Sequence, residues 1–430
     1  MKLLARRAWL RPWVWFFVSA AIGAVLYCRH YWGDAPGVTL YVEAARCFLD
    51  QLPLQGCNPF YTYPPIFALL TIPLVPLPLV LQNLVWYLLT LGCLAGCFML
   101  SARLVQRLAP GPWTPRDMRW LYAIGLVVSL KFVFAAIASQ SYDAAVVLLV
   151  LAGLDGLTKE GLAGTSAATQ NWASNMAGLC FALAAALKAT PLLFLPYLIV
   201  KRHYRAAAVM AVALVVISLL PDLLSMLGHK TGDGYLLAWL KQIAQPALSE
   251  KLNGNLHTFW YSSNENNNSL RGLVGLFVTD GKPNFKTVLY SVYVFYSAMI
   301  ALIILRTRGR SAVPIDGALL LISMLMLSPM SSESHYVALI LPIFAVVALW
   351  QKGDPNIRRI AGIVLIAFFL LINAAARDLV GVAVTAWAKE YRLLVFAVLL
   401  LPVFLAIRVF ASARVRAGSG TAPAITQQAT

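Results

Sequence analysis

Charge is scarce in this sequence. Asp, Glu, Lys and Arg make up 12% of the 430 residues, and acids are the rarer sign, 17 against 34 basic residues. With 60% hydrophobic residues and a mean hydropathy of +0.75, the chain is no ordinary soluble domain. Cysteine is also sparse. Six are too few for a disulfide scaffold, and neither a CxxC pair nor a metal-ligand spacing occurs, so no metal site is expected. The short alternating strands of a membrane barrel are missing as well. The basic start, MKLLARRAWLRPW, has the look of a signal peptide, but the apolar segment at 13–27 carries no small-residue cleavage site. It reads as an uncleaved first helix.

What is present is a series of apolar runs separated by short polar connections, the pattern of an all-α polytopic membrane protein. The net charge of +17 invites a nucleic-acid partner, but its distribution argues against one. Segments at the N-terminus, 103–119, 155–171, 201–205, 306–316, 351–359 and from 408 onward hold 21 of the 34 basic residues and only 5 of the 17 acids. This is the bias of cytoplasmic loops. The lipid bilayer is therefore the expected partner of the basic residues, with no nucleic acid.

On this map the chain makes about twelve crossings with both termini inside. Residues 1–410 read as one multi-spanning domain and 411–430 as a disordered cytoplasmic tail. The loops 29–65 and 222–286 face outside, the second carrying an interfacial helix candidate, GYLLAWLKQIA. The stretch 66–78 is too short and Pro-rich for a full span and reads as re-entrant or as a broken half-helix. Segments 177–187 and 192–200 read either as a tight hairpin with Lys188 near its outer tip or as one broken helix. The basic run at 201–205 favours the hairpin.

The first outer loop holds an amphipathic helix at 38–52. Thr39, Glu43, Arg46 and Asp50 share one face, Leu40, Ala44, Cys47 and Phe48 another. Asp34 precedes it, at a fixed height after a helix exit, where a carboxylate can act as a general base on an acceptor hydroxyl. Cys47 and Cys57 share this loop, where an oxidising compartment allows them to pair. Lys131 and Lys188 lie within apolar runs. A cation at membrane depth is expensive and serves a site or a partner, although lysine also snorkels. An anionic lipid headgroup is the natural partner for either. His335 and Glu333, in SPMSSESHY, end an outward span. Gln140, Tyr142 and Asp143 form a polar turn between two spans. Asn266, Asn267 and Asn268 with Ser269 look like a helix N-cap with surplus amides, which suit sugar hydroxyls.

These residues resemble the polyprenol-phosphate-dependent glycosyltransferases of family 87, in the GT-C class, whose best-known members are bacterial mannosyltransferases. Tyr41, Ala44, Ala45, Asn58, Tyr63, Pro64 and Pro65 match the family's first-loop pattern. Ser139-Gln140 resembles its Gly-Gln turn, Lys188 and Pro191 its Lys-x-x-Pro, and Asn267-Asn268-Ser269-Leu270 its Asn-Gln-Ser-Leu. Ser328, Pro329, Ser331 and His335 match its last motif. Two departures stand out. Aligned on Ala44-Ala45, the family's Asp falls on Gly37, three residues after Asp34; and a Trp and a His of the last motif are Ser332 and Ser334 here.

The resemblance implies a GT-C-type bundle with outward-facing interfacial helices in a bacterial inner membrane, the active site facing the periplasm or outside. It implies inverting transfer of a hexose, mannose above all, from a polyprenyl-phosphate sugar donor to a lipid or glycan acceptor. Asp34 would be the catalytic base, and Lys188, His335, Gln140, Asn267, Asn268, Tyr63, Glu333 and Lys131 the substrate contacts. No cofactor and no nucleotide site are implied. A pentose donor on the same scaffold, or a transporter or flippase for a lipid-linked anion, would draw on the same lysines.

Overall fold

The computed structural model describes residues 18–108, 111–159, 166–227, 234–249, 261–279, 282–307 and 312–418. Every regular element among them is helical. Among the described residues, seven helices are long and apolar enough to cross a membrane, beginning with Leu79–Val105 and ending with Leu393–Ala411. Shorter apolar helices lie between them, so the expected twelve crossings are not reached by length alone. The first helix runs through 18–30, and its basic start lies outside the described residues.

The bundle is built around the helix Ile340–Lys352. Its residues from Ile340 to Leu349 are all buried, and it is apolar on every side, as a central helix must be. The outer helices Tyr204–Leu227 and Pro355–Asn373 show apolar side chains to the surroundings instead, Val212 at 66% exposure and Ile366 at 64%. That surface is stable only in lipid.

The chain reverses at Lys188, as the hairpin reading requires. Gly178, midway along Ala167–Leu187, faces Ala206 and Val209. Ala185 and Ala186, near its end, share a cavity with Leu214 and Leu219. The two long helices therefore run in the same direction, and Phe194–Val200 is the descending limb between them.

The basic segments assigned inside gather at one end of the bundle. Asp155 meets Lys159 at 2.9 Å and Arg103 at 3.2 Å, Lys201 meets Asp316 at 3.0 Å, and Lys352 meets Asp117 at 2.5 Å. At the other end lie the first outer loop and residues 261–279. The helix expected at 38–52 spans Pro36–Leu49 and buries Val38, Tyr41, Val42, Ala44, Ala45, Cys47 and Phe48. Cys47 and Cys57 form a disulfide, with Cα atoms 6.4 Å apart. The stretch after Pro65 is a separate short helix, Pro65–Thr71, packed beside the Pro36–Leu49 helix, and the crossing starts afresh at Leu79.

Residues 377–390 form an amphipathic helix that kinks at Gly381 (φ +81°) and exposes Leu379, Val382 and Trp387. It lies as an interfacial helix lies, apolar face outward. The last helix continues through the start of the expected tail to Gly418, and 419–430 fall outside the described residues. Much of 222–286 also falls outside them, but the interfacial candidate is helical at Tyr235–Trp239, with a wide turn at Leu240–Ala244.

Candidate active site

Three side chains from three breaks in the helical pattern meet at the end of the bundle away from the basic connections. Lys188 ends its helix in an extended conformation (φ −151°, ψ 125°), with Pro191 preventing continuation. Asp143 is the first residue of Asp143–Leu157, where the helix dipole favours a carboxylate. His335 sits in the 3-10 turn Glu333–Leu339, just before the central helix. Asp143 Oδ1 lies 2.5 Å from Lys188 Nζ, and its Oδ2 lies 3.6 Å from His335 Nε2. The Ser141 hydroxyl also donates to Oδ2. Nδ1 of His335 accepts the Ser332 N–H at 3.2 Å, which places the ring proton on Nε2, toward Asp143. Asp143, Lys188, Thr190, Ser328, Ser331 and His335 line a narrow cleft of about 10 Å³.

An aromatic wall stands beside it. The Tyr63 ring packs edge-on to Tyr142 at 5.1 Å, to Tyr41 at 5.4 Å and to Phe67 at 5.6 Å. Burial, reinforced by the charge of Asp143, pushes the Tyr63 phenol up to about 12, so it remains a neutral donor at physiological pH. Next to it, Pro64, Ala185, Ala189, Leu192, Leu219 and Trp239 line an apolar groove of about 290 Å³. The Trp239 indole donates to Thr62 O at 2.9 Å and holds the interfacial helix along it. Ala189 in the groove is the chain neighbour of Lys188 and Thr190 in the cleft.

Asp34 lies outside the cleft lining, exposed in the turn before Pro36–Leu49. Its backbone is pinned on both sides: Ala35 is fully buried, and Tyr31 O accepts from Asn83 Nδ2 at 3.0 Å. Gly37 meets Gln140 closely. A Cβ on Gly37 would lie 2.7 Å from Gln140 Cβ, so the position where the family's Asp falls in strict alignment has no room for a side chain.

Gln140 differs from the expected substrate contact. It is 1% exposed, and its amide is engaged within the fold. Oε1 accepts the N–H groups of Gly37 and Val38 at 3.0 Å each, and Nε2 donates to Asn83 Oδ1 at 3.1 Å. Asn267 is fully buried too. Its Oδ1 accepts from Ser269 Oγ at 2.8 Å and its Nδ2 donates to Pro329 O at 3.0 Å. Asn268 N donates to Ser331 O at 2.8 Å. The two asparagines tie the 261–269 loop to the segment carrying His335, rather than facing a ligand with free amides. Lys131 and Glu333 pair with each other at 3.0 Å, and Lys131 Nζ also donates to Ile372 O at 3.1 Å, so neither lines the cleft. The residue whose role sequence reading missed is Asp143, read there as part of a polar connection. The available signal was Lys188 itself: a cation within an apolar run demands an anion, and Asp143 starts another such run.

These features define a polytopic helical membrane protein with its polar centre at one end of the bundle. The sequence pattern of glycosyltransferase family 87 matches residues 61–329, and the chain belongs to that family of glycosyltransferases. The matched stretch contains Tyr63, Asp143 and Lys188; Asp34 and His335 lie outside it. One curated relative is the polyprenol-phosphate-mannose-dependent alpha-(1-2)-phosphatidylinositol mannoside mannosyltransferase of Mycobacterium tuberculosis, 27% identical over 247 residues. That alignment covers 53% of this chain, which spans about half, 51%, of the relative's length. Among solved structures, ArnT from Cupriavidus metallidurans bound to undecaprenyl phosphate aligns with 96% of this chain and 81% of its own, at 14% identity and a TM-score of 0.41. Its apo form aligns with 93% and 78%, at 14% identity and a TM-score of 0.43.

Proposed function

We propose that this glycosyltransferase moves a hexose, mannose in the first instance, from a polyprenyl phosphate to a hydroxyl of a lipid or glycan acceptor at the outer face of a bacterial inner membrane. The observation that carries the reading is the junction of ion-paired cleft and apolar groove at Lys188, Ala189 and Thr190. A lipid phosphate needs a cation at membrane depth and an apolar track for its chain, side by side. The mycobacterial relative, whose name specifies a polyprenol-phosphate-mannose donor, supports the same donor class.

In this mechanism the acceptor hydroxyl gives its proton to the Asp34 carboxylate, and its oxygen attacks the anomeric carbon. The bond from that carbon to the phosphate oxygen breaks, and the lipid phosphate departs with the electron pair, inverting the anomeric centre. Negative charge grows on the phosphate as it leaves, and Lys188 stabilises it there more than in the ground state. His335 adds a hydrogen bond from its Nε2–H, which at 3.6 Å from Asp143 is not committed to the carboxylate, and Tyr63 offers an aromatic face and a neutral hydroxyl to the sugar.

Membranes carrying the wild-type protein or Asp34→Asn, given a panel of polyprenyl-phosphate hexoses and pentoses, test the reading. Transfer from a mannosyl donor that Asp34→Asn abolishes is expected. Transfer from a pentose donor alone would reassign the sugar, and full activity of Asp34→Asn would remove Asp34 as base.

A further inference from the structure

We infer that Asp143 is a positioning residue of the transfer reaction: it anchors Lys188, beside His335, as the phosphate-facing cation. This rests on the reading of the cleft as the donor-phosphate site.

One carboxylate bonds Lys188 and lies beside His335, from distant parts of the chain. Oδ1 takes Lys188 at 2.5 Å, and Oδ2 faces His335 Nε2 at 3.6 Å while accepting from the Ser141 hydroxyl. Asp143 N in turn donates to Ser141 Oγ at 3.1 Å, so the carboxylate is fixed by its own turn before it fixes anything else. The depths are ordered. The Asp143 side chain is 7% exposed, against 20% for Lys188 and 24% for His335. The carboxylate stands behind, and the two nitrogen-bearing groups stand in front.

That order matters for an anionic ligand. A carboxylate in front would repel a phosphate; behind, it orients the donors and leaves their outer faces to the ligand. An ammonium has three N–H groups, and Asp143 is the only partner of Lys188 Nζ among the described residues. The remaining donors are available to phosphate oxygens. Lysine's four-carbon stem is flexible, and without an anchor the head would be drawn toward bulk water. The anchor also matches the charge change of the reaction. The resting Lys–Asp pair is close to neutral, and the phosphate gains charge only as the sugar leaves, so the attraction to Lys188 strengthens along the reaction path.

The test is a mutant cycle in the membrane assay, with kcat and donor KM measured for wild type, Asp143→Asn, Lys188→Ala and the double variant. Asp143→Asn keeps the shape and removes the charge. Alone it should lower kcat on the order of 10²-fold, the scale of a misplaced catalytic group, while donor KM changes less. In the Lys188→Ala background it should cost nothing further, because the lysine it positions is gone. A purely structural role would predict losses that multiply, and that result, or unchanged kcat in Asp143→Asn, overturns the inference. Should Asp143→Asn fail to accumulate in membranes, Ser141→Ala is carried through the same cycle. A kcat loss confined to the background that retains Lys188 supports the inference, and unchanged kcat overturns it. Unimpaired turnover in Lys188→Ala would instead sink the donor-phosphate reading of the cleft itself.

Discussion

Gln140→Ala separates a brace from a substrate contact. The amide accepts two backbone N–H groups at the start of Pro36–Leu49, each at 3.0 Å, and donates to Asn83 Oδ1 at 3.1 Å, at a site 1% exposed. Loss of a helix N-terminal acceptor costs about 1 kcal/mol. Burying the orphaned N–H groups and the Asn83 oxygen without partners adds about 1–3 kcal/mol. A total of about 2–4 kcal/mol follows from these ranges, a large part of a typical domain's stability. The damage should be local first, because this helix start also carries the Asp34 turn. Thermal unfolding of detergent-purified protein should shift clearly downward, kcat should fall, and donor KM should hold. Gln140→Glu should recover only part, since it keeps the acceptor but sets an oxygen against the Asn83 oxygen. Wild-type unfolding with a raised donor KM would refute the brace and restore Gln140 as a substrate contact.

Asp34→Asn should lower transfer by ~10²–10⁴-fold, the usual worth of a general base, with donor binding retained; binding and single-turnover assays on one preparation check both. Replacing Cys47 and Cys57 by Ser should cost somewhat under 3 kcal/mol by loop-closure entropy, given a sequence separation of 10, and unfolding with and without reductant measures it. Lys131→Met with Glu333→Gln should leave donor KM near wild type, because that pair lies outside the cleft lining; a raised KM in the double variant would return Lys131 to the site. The raised Tyr63 pKa, about 12 against an unfolded value near 10, means the folded state holds its proton more tightly. Its contribution is complete below pH 10 and disappears as pH rises through 12. Tyr63→Phe should remove that part of the alkaline loss of stability in a pH series of unfolding curves.

Sequence by itself determined the environment and the outline. Long apolar runs have one stable solution in lipid, helices that satisfy their own backbone, and the basic connections gather at one end of the bundle, as the charge bias of membrane loops leads one to expect. The amphipathic period of 38–52 placed the helix Pro36–Leu49, and the isolated Lys188 called for an anionic partner from charge cost alone. Those signals are local: each needs only a window of residues and a solvent. Tertiary structure decided which polar groups line the cleft. Gln140, Asn267 and Asn268 carry the same amides as sugar-binding residues, yet they are turned inward because helix starts and loop backbones nearby needed partners. Asp143 looked like a connector and became the hub, because Lys188 and His335 arrive beside it from 45 residues away on one side and from across the bundle on the other. Whether a polar side chain meets substrate or its own fold depends on where unsatisfied backbone groups fall in three dimensions, and no window of sequence carries that.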